Sequence, residues 1–425
     1  MGINSCGTTL IDNGTFKNIG AITWDTTAKT AGFTAVAGNG YFVNTTSGQI
    51  TVTLPSSPTA GDAVAIADYA NTADTNNIII DPNGNNIQGS ASNFNLNTEG
   101  GTILLIYVDA TKGWLSIDSA VASDISEAAS FITATGGTIT TSGDYKIHTF
   151  TGPGTFTVCS VGNPLGSDSV DYVVLAGGGG GGYQRGGGGG AGGYREGYNP
   201  GSYTASPLAT SALPVTATGY PITVGGGGTG GTYPTTASTN GSPSTFSCIT
   251  ATGGGHGGDA ICSQNAAPGG SGGGGKGASG NPSNAGGTGN TPPVSPPQGN
   301  NGGAGSPSAF YGAGGGGGAG AAGTAGSGPT SGPGGNGVTS SINASPVTRA
   351  GGGGGSHFTP CGSSGTGGTG GGGNGATAAV NAGTGGTNLG GGGGGGAFTN
   401  TTCSAPTDQG ANGGSGIVII RYKFQ

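Results

Sequence analysis

The stretch DYVVLAGGGGGGYQRGGGGGAGGYREG, residues 171–197, starts as an apolar strand and then sheds its side chains. Runs of four or more glycines recur near residues 177, 186, 225, 272, 314, 351, 370 and 390, separated by segments rich in Thr, Ser, Asn, Pro and aromatics. Such a chain has no side chains from which to build an apolar core, and glycine loses more backbone freedom on ordering than any other residue. Order would have to come from the backbone N–H and C=O groups themselves.

A flexible linker is the simplest alternative, and two features oppose it. A linker is expected to connect folded pieces, and here only one strand is read beyond the glycine block. Between Gly197 and Ile420 the only charged residues are Asp259, Lys276, Arg349 and Asp408, whereas disordered segments are rich in charge. Collagen fails on register, because GAGGGGGAGAAGTAGSGPTSGPGGNG does not keep Gly at every third position. A bundle of polyglycine helices in the extended polyproline II geometry survives. A run of six residues would span about 19 Å, with three residues per turn and no internal hydrogen bonds. Every surrounded rod must then be glycine and fully paired, while peripheral rods can carry Ala, Ser, Thr or Asn on their outer sides.

Elsewhere the pattern is all-β, with essentially no α-helix. Residues 1–118 read as an N-terminal β module. Alternation at Ile50, Val52 and Leu54 resumes at 63–66 after PSSPTAGD, which is hairpin grammar, and 81–84 repeats the device. Two further strands flank a loop at 109–113. Residues 119–137 read as a linker, within which 120–130 is the one plausible helix. A β neck follows over 138–176, with a turn at GPG between strands at 145–149 and 155–158. The glycine-rich bundle takes 177–416 and a closing strand 417–425. Apolar strands at 171–176 and 417–424 flank the bundle and should pair with each other.

Ten Lys and Arg residues in a chain of net charge -7 form no cluster, which argues against nucleic-acid binding. The longest apolar run, TILLIYV, is too short to span a bilayer, and the N-terminus lacks the features of a secretory signal. Six scattered cysteines do not make a disulfide framework, although Cys248 with Cys262 and Cys361 with Cys403 could close loops.

Little catalytic chemistry is legible. The nearest P-loop look-alike, GSGGGGKGA around Lys276, places Gly277 where Ser or Thr would bind magnesium. His256 with Asp259 and Cys262, or His357 with Cys361, falls short of four ligands at zinc spacing. Asp259 and Asp408, with Glu196 at the edge, are the carboxylates available for glycan hydrolysis. Asp62, Asp68, Asp74 and Asp81 sit at turns. No cofactor, metal or enzymatic role is expected.

GDYKIHTFTGPGTFTV, VDYVVLAGGGGGG, the long glycine runs and the ending NGGSGIVIIRY together resemble the glycine-rich domain found at the ends of bacteriophage tail fibres and related adhesins, over about residues 138–425. That resemblance implies a bundle of polyglycine helices whose loops at one end touch a bacterial receptor. More loosely, the N-terminal module resembles small β domains of phage fibres. The implied protein is a virion component, assembled in the host cytoplasm, commonly trimeric, attached through its N-terminal module to other virion proteins. Its partner would be a host cell-surface glycan or outer-membrane protein, with no membrane insertion. A capsid fibre or decoration protein, and an envelope glycan hydrolase, are the alternatives. Spacer aromatics are the contact candidates, since Tyr with Asn, Ser and Gly is the palette of antibody paratopes: Tyr183, Tyr194, Tyr198, Tyr220, Tyr233, Phe310, Tyr311, His357, Phe358 and Phe398, alongside Tyr203 and Phe246. Each could instead cover a side or end of the bundle. Residues 183–185 should form an end loop.

Overall fold

The computed structural model describes residues 3–5, 8–12, 15–16, 22–117, 125–232, 236–259, 264–278, 284–307, 311–358, 362–398 and 406–425. The chain divides into two compact units, Met1–Ala129 and Ser130–Gln425. Strands in several sheets make up its regular structure, no sheet is closed into a barrel, and among the described residues there is no α-helix.

In the first unit two five-stranded sheets enclose a core that includes Tyr41, Val52, Leu54, Ile66, Ile80, Leu105 and Trp114. The alternating pattern correctly marks strands and their buried faces, but the hairpin expectation is overturned. Ile50–Thr53 and Ala63–Asp68 lie in different sheets, each pairing in parallel with the strand two positions away in sequence. The chain therefore winds as a coil, because successive strands must each bury one face against the same core. The 81–84 turn is present, with Asp81 Oδ1 accepting from the Asn83 amide at 2.8 Å. The strand after it, Phe94–Leu96, pairs back on Ile78–Asp81. Thr102–Asp109 and Gly113–Ser116 do form the expected hairpin, with Tyr107 opposite Trp114. Within the stretch read as helix or linker, Ile125–Glu127 is a strand paired with Phe94–Leu96.

The second unit opens with two sheets. In the larger one Ile417–Lys423 lies between Tyr145–Phe150 and Ser169–Leu175, antiparallel to both, with Val173 opposite Ile419 and Tyr172 opposite Ile420. The two apolar strands flanking the glycine block thus pair as expected. The strands on either side of the GPG turn part company: Tyr145–Phe150 stays in this sheet, whereas Gly154–Ser160 joins Thr133–Thr135 and Gly219–Thr223 in the other. Phe156, Tyr172, Phe246, Val418, Ile420 and Tyr422 close the core between them.

From this neck the chain runs outward through 177–182, turns, and returns through 186–193, and this alternation continues to 409–416. Successive amides of the first rod donate to three neighbours in rotation: Gly177 to Ser242, Gly178 to Gly414, Gly179 to Gly190, Gly180 to Thr239, Gly181 to Ala411 and Gly182 to Gly187, all at 2.8–3.1 Å. Its carbonyls accept in the same rotation from Gly254, Gly228, Gly393, Gly257, Gly231 and Gly396. Each three-residue turn of this rod thus meets six neighbouring rods, donating to three and accepting from the other three. The 186–193, 271–278, 312–319, 350–357 and 390–397 segments repeat the arrangement, and they carry the longest glycine runs. This is the hydrogen-bonding pattern of a threefold polyglycine helix.

Edge rods show the other half of the rule. Gly365 and Gly368 are buried while Thr366 and Thr369 face outward, and Gly225, Gly228 and Gly231 are buried beside exposed Gly226, Gly227 and Thr229. Asparagines supply acceptors there: the Oδ1 atoms of Asn412, Asn374 and Asn301 accept from the amides of Gly230, Gly367 and Gly289, each at 2.8 Å. The side-chain amide copies a backbone carbonyl where no further rod is present. Short β excursions interrupt the bundle at its neck end, among them Ser244–Phe246 with Ile249–Ala251 and Val338–Ser340 with Val347–Arg349.

Candidate binding site

The rod ends away from the neck converge at residues 183–185. Gln184 and Arg185 adopt left-handed φ of 46° and 60°, which turns the chain from the first rod into the second. Neighbouring rod ends fasten this turn, with Gln184 N–H donating to Asp408 O and Gly277 N–H to Arg185 O. The Arg185 guanidinium lies 4.8 Å from the Tyr311 ring centroid and 5.3 Å from that of Phe398. Phe398 stacks on Phe358 with centroids 5.4 Å apart and 28° between planes, and its amide donates to His357 O. Burial disfavours the charge on Arg185, while Tyr311 beside it works the other way. Half-buried rings around a guanidinium make a contact surface that is rigid, apolar and cationic at once.

The four charged residues between Gly197 and Ile420, Asp259, Lys276, Arg349 and Asp408, are all buried. Asp259 Oδ1 accepts from the Tyr183 amide at 2.8 Å, and its Oδ2 from Ser238 Oγ at 3.3 Å and from the Ser238 amide at 3.4 Å. Burial pushes its carboxyl up to about 6 against these bonds. Asp259 is thereby engaged with a rod end. His256 is paired with Gln264 at 3.0 Å, and burial holds its pKa below the usual histidine value. In the P-loop look-alike the amides of Ser271, Gly272, Gly273, Gly274 and Gly275 all donate to carbonyls of adjacent rods. Those amides are committed to the lattice, so the segment has no phosphate cradle.

The contact candidates separate by position. Tyr311, His357, Phe358 and Phe398 reach the far end, although His357 is buried and paired with Ser364 at 3.1 Å. Tyr183 belongs to the expected end turn, but its ring is fully buried, fitted against the side of Gly231. The expectation of an exposed contact there is corrected, since a ring at a rod end fills the space its neighbours lack side chains to fill. Tyr194 is likewise buried, in the neck strand Tyr194–Tyr198, where its hydroxyl donates to Glu196 at 3.0 Å. Tyr203 and Ser340 also donate to Glu196, at 2.9 and 2.6 Å. This carboxylate is therefore a structural acceptor. Tyr198 and Tyr220 are half-buried in neck strands, and Phe246 is buried in the neck core. Tyr233 and Phe310 lie outside the described residues, as do Cys262, Cys361 and Cys403 of the candidate loop closures, while Cys248 is exposed.

A glycine-rich domain family model matches residues 149–423, a span that takes in the neck strands, the rods and the closing strand. The chain belongs to this glycine-rich domain family. A search of curated proteins returns no match. In this glycine-rich domain the neck pairing was legible from two apolar strands. The Arg185 cluster was not, because its members are far apart in sequence and meet only through rod register.

Proposed function

We propose that the protein is a bacteriophage virion fibre protein, a tail fibre or receptor-binding adhesin that contacts the host surface with the far end of its glycine-rich bundle. The observation that carries this reading is the convergence of Arg185, Tyr311, Phe358 and Phe398 at the end opposite the neck. A lattice held by backbone hydrogen bonds is stiff and leaves its end loops free to vary, which suits display of a contact surface. The partner is a cell-surface glycan or outer-membrane protein. The N-terminal coil serves attachment to other virion proteins, and the assembly is a homotrimer.

The test uses fluorescently labelled full-length protein on a panel of Gram-negative strains that includes lipopolysaccharide and porin deletions. Binding to at least one strain is expected, with loss on Tyr311→Ser combined with Phe398→Ser while the melting temperature is kept. Binding to no strain, or binding unchanged in the folded double variant, overturns the reading.

A further inference from the structure

Beside the closing strand, a cavity of about 200 Å³ is lined by Tyr145, Asp168, Asp171, Asn199, Tyr422 and Lys423. Asp171 is only 1% exposed, yet it is part of this lining. Its Oδ1 accepts from the Asn199 amide at 2.6 Å, and its Oδ2, buried as well, has no hydrogen-bond partner. A desolvated carboxylate oxygen without a donor is costly, and a ligand hydroxyl entering the cavity would remove that cost.

The surroundings narrow the ligand class. Asp168 and Asp171 are offset by Lys423 in the lining and by Arg421, whose charge is felt at Asp171. With the charges nearly balanced, neither a cation nor an anion is favoured over a neutral molecule. Carboxylate, amide and ammonium groups next to tyrosine rings are the equipment for binding hydroxyls on a small ring with an apolar face. Asp168, Ser169 and Asn199 also line a more open groove of about 570 Å³ that continues past Tyr198, Pro200 and Thr210. The two spaces share a wall, so a chain-like ligand can occupy both.

We propose that the neck cavity binds one pyranose ring of a neutral saccharide, with a ring hydroxyl donating to Asp171 Oδ2 and further sugars lying along the groove beside Tyr198. Burial raises the Asp171 carboxyl to about 6, so the acceptor is ionised at neutral pH. Arg421, Lys423, Asp168, Tyr145, Tyr203 and Tyr422 are the other titratable or charged groups around it. The site is separate from the Arg185 cluster and does not depend on the function proposed for that end.

Saturation-transfer NMR on the full chain provides the test, with methyl glucoside, methyl galactoside and methyl mannoside as probes at millimolar concentration, and calcium chloride alone in a parallel titration. At least one glycoside should give transfer. Asp171→Asn should weaken it about tenfold or more, and Asn199→Ala, at an exposed residue of the lining, should weaken it too. Absence of transfer from all three glycosides overturns the proposal. So does transfer that persists in both folded Asp171→Asn and Asn199→Ala, or calcium binding that depends on Asp171.

Discussion

Gly188 and Gly353 approach so closely that a Cβ on Gly188 would overlap the carbonyl oxygen of Gly353, well inside the 3.0 Å that real Cβ atoms essentially never cross. The oxygen is backbone in a surrounded rod and has nowhere to move. Gly188→Ala should therefore destabilise by about 3 kcal/mol or more. Gly226 is exposed, and a Cβ there would meet nothing within 4 Å. Gly226→Ala should be neutral or stabilise by about 0.4–1 kcal/mol, since alanine restricts the unfolded chain. Thermal melts of the two variants give the contrast, and equal effects would refute the lattice.

Hydrogen exchange reads the same lattice without mutation. The amides of Gly178–Gly182 all donate to neighbouring rods. They should exchange at the rate of global unfolding, as slowly as Val173 in the neck sheet. Exchange within seconds would mark the segment as linker.

Deleting Ile417–Gln425 removes the strand between Tyr145–Phe150 and Ser169–Leu175. Val173, Val174 and Leu175 would keep their partners on Tyr194–Tyr198 but lose Ile419, Val418 and Ile417 on the other side, and the first and last rods would lose their common anchor. The truncated chain should be insoluble or susceptible to protease along the whole glycine block. A soluble, resistant product would show that the rods assemble without the neck.

Acid should favour folding at two positions. The carboxyls of Asp171 and Asp259 are raised from 3.8 to about 6 by burial, so the folded state holds these protons more tightly than the unfolded one. Their contribution grows as pH falls through about 6 and is complete below about 4, at about 3 kcal/mol each. His148, His256 and His357, lowered by burial, act in the opposite direction as pH falls through 6.5. Comparing wild type with Asp171→Asn cancels the histidines. The wild type should gain stability relative to the variant between about pH 8 and about pH 4, and parallel pH profiles would contradict the Asp171 assignment.

Much of this fold could be read from the chain because glycine runs and apolar strands carry their constraint locally. A run of six glycines states that it is surrounded, and two apolar strands flanking it state where it closes. Partners chosen at a distance were harder to see. Alternation at Ile50, Val52 and Leu54 fixes which face is buried, but a hairpin and a parallel coil bury that face equally well. Tyr183 and Tyr194 look like contact residues in a glycine context, yet each ring is drawn inside by neighbours with no side chains. The Asn412, Asn374 and Asn301 acceptors were hidden for a related reason, since a polar residue on an outer face gives no sign of which amide it serves.

The rotation of donors among three neighbours gives each rod a phase. Inserting a single residue into 177–182 would swing every later amide by a third of a turn, so that a donor meant for Gly414 would face another rod. Inserting three would restore every direction and change only the length. Between its turns the bundle is thus written in triplets, and length changes within a surrounded rod can accumulate only in steps of three.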